Sequence, residues 1–429
     1  MTKVRMAYFD ECLEIDVPER NLLGVLEPDD IRKADDLVAV LAHELENPVA
    51  TAPFSSLCAG RKKVCILVCD LTRPMETEKV LPVVIEKILE ASPEAEISIL
   101  VALGTHRPLG EEEMDRLVGR EIRGRFPVIN HDARDETRLT TIGGTRKDFP
   151  VQVNSLLVEC DFKIGIGAVK PHPVFGWSGG VKIVIPGVSG YGTTGLSHWN
   201  SAPFAGTEIM GVVDNPVRLE VEDVVTSNRL LDFIVSAVLD KDSRIADLRC
   251  GDPVLAHRKC VGLAKKHYLR DVPAPADVVL VGVGKWGADL WVGSMGVYQS
   301  EFFLKRGGTV VLFGKFPEGV SRTHGEILEW GYRPYSEVEP LVRDGTLAGD
   351  LTLAAHLVHL GRVLEARQAN CVLVSEGISR EEAFRLGFDY LDSPDGVLDD
   401  AFARHGRDAK ILAIPGFNST PVISEHPVR

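Results

Sequence analysis

A chain of 429 residues, 45% hydrophobic and 7% aromatic with 40 glycines, has apolar mass for two to three packed cores and suits the strand-to-helix turns of an α/β enzyme better than an all-β binding module. Its 62 acidic against 48 basic residues give a formal charge of −14, which repels nucleic acid and anionic lipid and is not offset by a dense Lys/Arg block, so neither nucleic-acid nor membrane partners are expected. No signal-peptide pattern and no apolar run of about 18 residues is present, and the dispersed cysteines (12, 58, 65, 69, 160, 250, 260 and 371) read as reduced, buried thiols; a cytoplasmic protein is expected.

Along the chain, Lys63 to Cys69 (KVCILVC) predicts a buried strand and Glu76 to Ala91 an amphipathic helix, followed by a strand over Glu96 to Leu103 and a helix over Glu111 to Val118. This β-α-β-α order predicts a parallel, doubly wound sheet. Further strands are expected at Phe162 to Ile166, Lys182 to Ile185 and Phe233 to Leu239, and a helix over Val254 to Tyr268. The stretch Arg270 to Ala276, with two prolines and no periodicity, reads as a linker. Beyond it, Val278 to Val281, Thr309 to Phe313 and Cys371 to Ser375 read as strands of a second series, and Lys410 to Pro415 as a last strand in either domain. The expected architecture is two α/β domains with largely parallel sheets and an inter-domain cleft: residues 1–270 as the cofactor-binding, catalytic domain, with 408–429 available to join it, and 276–407 as the substrate-side domain.

The first strand runs into Asp70-Leu71-Thr72-Arg73-Pro74 and the second into Gly104-Thr105-His106-Arg107-Pro108. Read singly, these are helix caps beside solvated arginines. Two matching polar-Arg-Pro turns after adjacent strands point instead to a site. A third loop, Lys170 to Lys182 (KPHPVFGWSGGVK), brings His172, Lys182 and a Ser178-Gly179-Gly180 turn whose backbone can approach a phosphate, although it is no Walker loop. A fourth, GVSGYGTTGLSHWN (187–200), carries His198. A lone lysine is usually a snorkelling surface residue, and a lone histidine usually structural.

Three other patterns carry less. Cys65 and Cys69 lack a second ligand pair and read as strand residues. His356 and His359 form an HxxH pair in a Leu/Ala-rich helix without a carboxylate signal and read as helix core. Gly282-Val-Gly-Lys-Trp-Gly287 matches GxGxxG after a strand, but the next strand ends Phe313-Gly314-Lys315 without the acidic residue that holds a ribose, so NAD binding there is disfavoured.

Taken together, DLTRP (70–74), GTHRP (104–108), HPVFGWSGGVKIVIPG (172–187) and SHWN (197–200) resemble the nickel-dependent lactate racemase family in order and spacing. The resemblance is specific over residues 70–200 and weaker after 270. It implies a Ni(II)-pyridinium-3,5-bisthiocarboxylate mononucleotide, the nickel-pincer nucleotide, whose metal is held by one carbon, two sulfurs and a histidine. By position His198 is the implied metal ligand, and Lys182 the lysine linked to one thio-acyl arm. His106 and His172 correspond to the acid/base pair, and Asp70, Leu71, Thr72 and Arg73 to the cofactor-contacting loop; Ser178, Gly179 and Gly180 are expected beside them. The implied activity is racemisation or epimerisation of a 2-hydroxy acid by reversible hydride transfer to the pyridinium, with Arg73, aided by Arg107, neutralising the carboxylate of a small anionic substrate. Cofactor-synthesis enzymes are the implied transient partners. A Gln and a Lys that hold substrate in the family fall on Val292 and Met295, which bind no carboxylate. The family's later Trp is not evident either. This places lactate in doubt, and Lys285, Trp286 and Trp291 nearby point to a larger hydroxy acid or sugar acid. The alternatives are a nicotinamide-dependent hydroxy-acid oxidoreductase using the GxGxxG segment, and a non-catalytic nucleotide-binding protein.

Overall fold

The computed structural model describes residues 1–29, 31, 35–71, 75–144, 150–240, 242–416, 422–424 and 426–427. Of the expected site residues, Thr72 and Arg73 lie outside them.

Val64 to Val68 are buried in succession, the signature of a strand covered on both faces. That strand, Lys63–Cys69, lies inside a six-stranded sheet ordered Ile245–Gly251, Phe233–Leu239, Phe162–Ala168, Lys63–Cys69, Glu96–Ala102, Val128–Asn130. Pairing is parallel throughout except for the Ile245–Gly251 edge. The chain moves outward from Lys63–Cys69 through Glu96–Ala102 to Val128–Asn130, then returns to the other side of Lys63–Cys69 as Phe162–Ala168. The sheet therefore reverses its winding between the strands that end at Asp70 and at Ala168, where doubly wound folds place ligands. Helices Leu37–Glu46, Thr77–Ala91 and Glu111–Val118 cover one face, and Pro216–Ser227 packs on the other.

The strand expected at Lys182 to Ile185 is a correction: Gly180–Ile183 is a 3-10 turn, closed by Val184 N–H and Ile185 N–H donating to the Val181 carbonyl. A short apolar run does not distinguish a buried strand from a buried helical turn. The preceding Gly179 and Gly180, at φ of 75° and 61°, set the turn.

The second six-stranded sheet has the order Asp389–Leu391, Asn370–Val374, Leu304–Phe313, Ala276–Gly282, Ile411–Ile414, Leu22–Val25, all parallel. The proposed boundary needs correction here. Leu22–Val25 leaves the 1–270 unit, and Ile411–Ile414 pairs with Ala276–Gly282 instead of extending the first sheet. The N-terminal hairpin, Thr2–Tyr8 with Glu11–Val17, also covers this second sheet. Alternation along the central strand explains the layering: Val278 and Leu280 pack with Val4, Met6 and Ile15 of the hairpin, whereas Val279 and Val281 join the core under helix Leu351–Arg367. Among the described residues, no helix is long and apolar enough to cross a membrane.

The two units share a packed interface. Residues of helix Leu255–Tyr268 and Trp177 join the same core as the second sheet. The Tyr191 hydroxyl donates to Asp350 Oδ1 at 2.9 Å, tying helix Tyr191–Trp199 to the start of Leu351–Arg367.

Candidate active site

Asp70 directly follows strand Lys63–Cys69 and is buried, and His106 follows Glu96–Ala102. Parallel pairing of those strands sets the two loops side by side, with His106 Nδ1 2.6 Å from Asp70 Oδ2. A carboxylate there takes the Nδ1 proton and leaves the lone pair of the neutral ring on Nε2. Leu71 lies in the same cleft wall. Arg107, expected near the substrate carboxylate, makes a two-pronged pair with Glu113, 2.8 Å at each contact, and holds that carboxyl down at about 2. Its charge is already matched.

His172 follows Phe162–Ala168 and is buried. Its Nδ1 accepts the backbone N–H groups of Val174 and Phe175 at 3.2 and 3.3 Å, so the neutral ring carries its proton on Nε2. The loop around it is fixed from below: buried Arg218 donates to the Phe175 and Trp177 carbonyls, and Trp177 Nε1 to the Gly211 carbonyl at 2.8 Å. Ser178 is committed to its own loop, its Oγ donating to the Ala168 carbonyl and accepting Lys170 N–H. Under Gly180 lies the His257 ring, 2.9 Å from where a Cβ would sit, and His257 Nε2 donates to the Ser178 carbonyl. Burial pushes His257 well below the usual imidazole range, so it acts as a neutral prop.

His198 sits in the last turn of helix Tyr191–Trp199, and its Nδ1 lies 2.8 Å from the Thr194 carbonyl one turn earlier. That bond takes the Nδ1 proton and leaves the lone pair on Nε2, the arrangement typical of a metal-binding imidazole. Among the described residues, no group of three or more His, Cys, Asp or Glu is gathered as a metal site.

The structure brings most of the expected residues together. A cavity of about 90 Å³ is lined by His106, His172, Lys182 and His198, with Ser178 and Gly179 in its wall. The Lys182 ammonium lies 5.4 Å from the centre of the Phe175 ring. Gly180 faces the His257 prop behind this wall. An inter-domain cleft of about 720 Å³ opens beside it, with Asp70, Leu71 and His106 on one side and Lys285, Trp286 and Val292 on the other. Met295 joins Val292 and Trp286 in a third space with His172 and Lys170. The GxGxxG turn leads into a 3-10 segment, Gly284–Ala288, in place of the long helix of a dinucleotide fold. A Cβ at Gly282 would strike the backbone of Ala7 and Pro415, which accounts for that glycine by packing.

His356 and His359, which the sequence places in an apolar helix, line an adjoining cavity of about 110 Å³ with His106, His172 and His198. His356 stacks on one face of Trp291, with ring centres 3.6 Å apart, and His324 on the other at 4.1 Å. His359 Nε2 is 2.7 Å from Ser201 Oγ, which donates to the His198 carbonyl. Arg362, one turn on, donates to the Ser201 and Phe204 carbonyls and reaches toward that of Pro173, so one buried guanidinium braces the loops after both His172 and His198. The i, i+3 spacing of the two histidines was the available signal.

Two doubly wound α/β units meeting at a cleft, with imidazoles and an amine converging beside the carboxyl edge of one sheet, define a two-domain protein with a ligand site between sheets. Residues 8–207, just under half of the chain, match the lactate racemase N-terminal domain. A lactate racemase of Thermoanaerobacterium thermosaccharolyticum is 26% identical over 331 residues, 74% of this chain and 76% of that protein. That of Lactiplantibacillus plantarum is 26% identical over 390 residues, 86% and 87% of the two chains. The solved apoprotein of the T. thermosaccharolyticum lactate racemase shares the fold, with a TM-score of 0.87 at 23% identity over 99% of this chain and 100% of that one. A structure from Thermotoga maritima follows at a TM-score of 0.72 and 21% identity, covering 91% and 98%.

Proposed function

We propose that this protein racemises or epimerises a 2-hydroxy acid with a nickel-pincer nucleotide. The observation that carries the reading is the shared cavity of His106, His172, His198 and Lys182. The residues fit such a group: His198 has its Nδ1 proton engaged by Thr194 and an Nε2 lone pair suited to Ni(II). Lys182 faces the same space for the covalent link, and the Ser178–Gly180 turn admits close backbone approach. When bound, the metallated pyridinium supplies an electron-poor acceptor for the hydrogen at Cα with its electron pair.

The chain's own residues manage the proton and the orientation. His106 Nε2, made the basic nitrogen by the Asp70 contact, takes the hydroxyl proton as the oxygen becomes a carbonyl. His172, with its proton on Nε2, donates a hydrogen bond to the same oxygen from the other wall and orients it, and the His106 imidazolium returns the proton to the oxygen of either hand. The planar keto acid has to turn over before the hydrogen returns to its opposite face. Val292 and Met295 offer the substrate no charge, which disfavours lactate, and the adjoining cleft lined by Lys285, Trp286 and Trp291 is where a larger hydroxy acid or sugar acid would extend.

Co-expression with the cofactor-synthesis enzymes, followed by nickel analysis and intact mass, tests this reading. The expected result is bound nickel and a mass adduct mapped to Lys182, with nickel strongly reduced in His198→Ala. Undiminished nickel in His198→Ala together with an unmodified Lys182 would overturn it.

A further inference from the structure

We propose that the second domain's wall of the imidazole cavity selects a 2-hydroxy acid whose chain beyond C2 carries neutral hydroxyl groups, and that His356 is the specificity-determining side chain that reads them. The inference rests on the racemase reading above and names its substrate class. Opposite His106 and His172, the wall presents Trp291, Tyr298, Thr352, His356 and His359. Among the described residues lining this cavity, none is a lysine, an arginine or a carboxylate. A tail ending in a second carboxylate would therefore bury an unpaired charge. The Tyr298 hydroxyl is already 3.3 Å from Ser294 Oγ, so the group an alkyl or aryl tail would leave without a partner is the His356 imidazole. A tail of hydroxyls, each both donor and acceptor, satisfies it.

The wall's polar groups are uncharged at neutral pH. Burial pushes His356 well below the ordinary imidazole range and the Tyr298 phenol up to about 12. The two histidines differ in role. His359 is turned inward through its 2.7 Å contact with Ser201. His356 has one ring face covered by Trp291, and its Nε2 lies 3.5 Å from Ser294 Oγ; with that face occupied, the ring edge is what meets a ligand. The indole, itself clamped by His324, fixes the plane of the ring, so the hydrogen-bonding direction is set before substrate arrives.

Length-matched acids provide the test: 2,3,4-trihydroxybutyrate against 2-hydroxybutyrate, gluconate against 2-hydroxyhexanoate, and malate as the dicarboxylate. Each is measured by calorimetric binding and by chiral turnover with cofactor-loaded protein. The polyhydroxylated member of each pair is expected to bind at least about tenfold more tightly, and His356→Phe, which keeps the stack on Trp291, to bring that ratio below about threefold. Tyr298→Phe, a second and smaller change in the same wall, is expected to lower the ratio in the same direction. Tighter binding of malate or of the unsubstituted acids, or a ratio unmoved by both variants, would overturn the proposal. A polyhydroxy preference in binding without any stereochemical change would leave this inference standing and defeat the racemase reading instead.

Discussion

His106 and His172 are held in opposite tautomers by their neighbours, the first with its Nδ1 proton on a carboxylate, the second with Nδ1 accepting two peptide N–H groups. Their Nε2 atoms therefore differ, a lone pair on His106 and a proton on His172, a difference no sequence pattern encodes. His106→Ala and His172→Ala are each expected to abolish racemisation while leaving nickel content largely intact; full activity in both would remove the acid/base assignment. Asp70→Ala leaves the imidazole in place but unoriented, and a loss of about 10–100-fold in turnover at unchanged nickel is expected from steady-state rates. The identities of these side chains were legible because each stands in a short loop directly after a strand. The partners that fix their protons, such as the amides of Val174 and Phe175, were not legible, because any residue supplies a backbone amide. Arg107 shows the converse: it reads as a substrate cation in the sequence and is matched by Glu113 in the fold.

At the level of elements, the central strands and the helices Thr77–Ala91, Glu111–Val118 and Leu255–Tyr268 fall where apolar spacing predicts them. The Gly180–Ile183 turn does not, since its apolar residues are buried regardless of conformation and the pattern that follows mimics a strand. Here the glycines carry the geometry. Gly180→Ala would place a methyl 2.9 Å from the His257 ring at a φ of 61°. A loss of about 1–3 kcal/mol is expected, read as a lower denaturant midpoint with unchanged slope; wild-type stability would show that the loop yields freely. Helix Leu351–Arg367 escaped functional notice for a related reason. It is buried almost continuously from Thr352 to Val363, so no polar face marks the side that meets the cavity.

Across the whole molecule, Leu22–Val25 and Ile411–Ile414 lie side by side in the second sheet although nearly the full sequence separates them. Periodicity identifies a strand and says nothing of its partner, which is why Lys410 to Pro415 reads as a strand of either domain and residues 2–25 fall within the 1–270 unit by sequence position alone. The assembled fold also buries His257, His356 and His359, each held below the usual value of 6.5 by desolvation. The unfolded chain then binds more protons than the native one as pH falls below 6.5, so their contribution is complete above that value and declines beneath it, by at most about 1.4 kcal/mol per pH unit for each ring. The melting temperature is expected to fall between pH 6.5 and 5, before most carboxylates titrate; a flat profile there would contradict neutral burial of these rings.

The most direct measurement of the central claim is chiral chromatography with mass detection on a single enantiomer of a 2-hydroxy acid deuterated at Cα, incubated in ordinary water with cofactor-loaded protein. The account predicts appearance of the opposite configuration at C2 with the deuterium retained and no net accumulation of keto acid. Unchanged configuration, or inversion with the label lost to solvent, would contradict it.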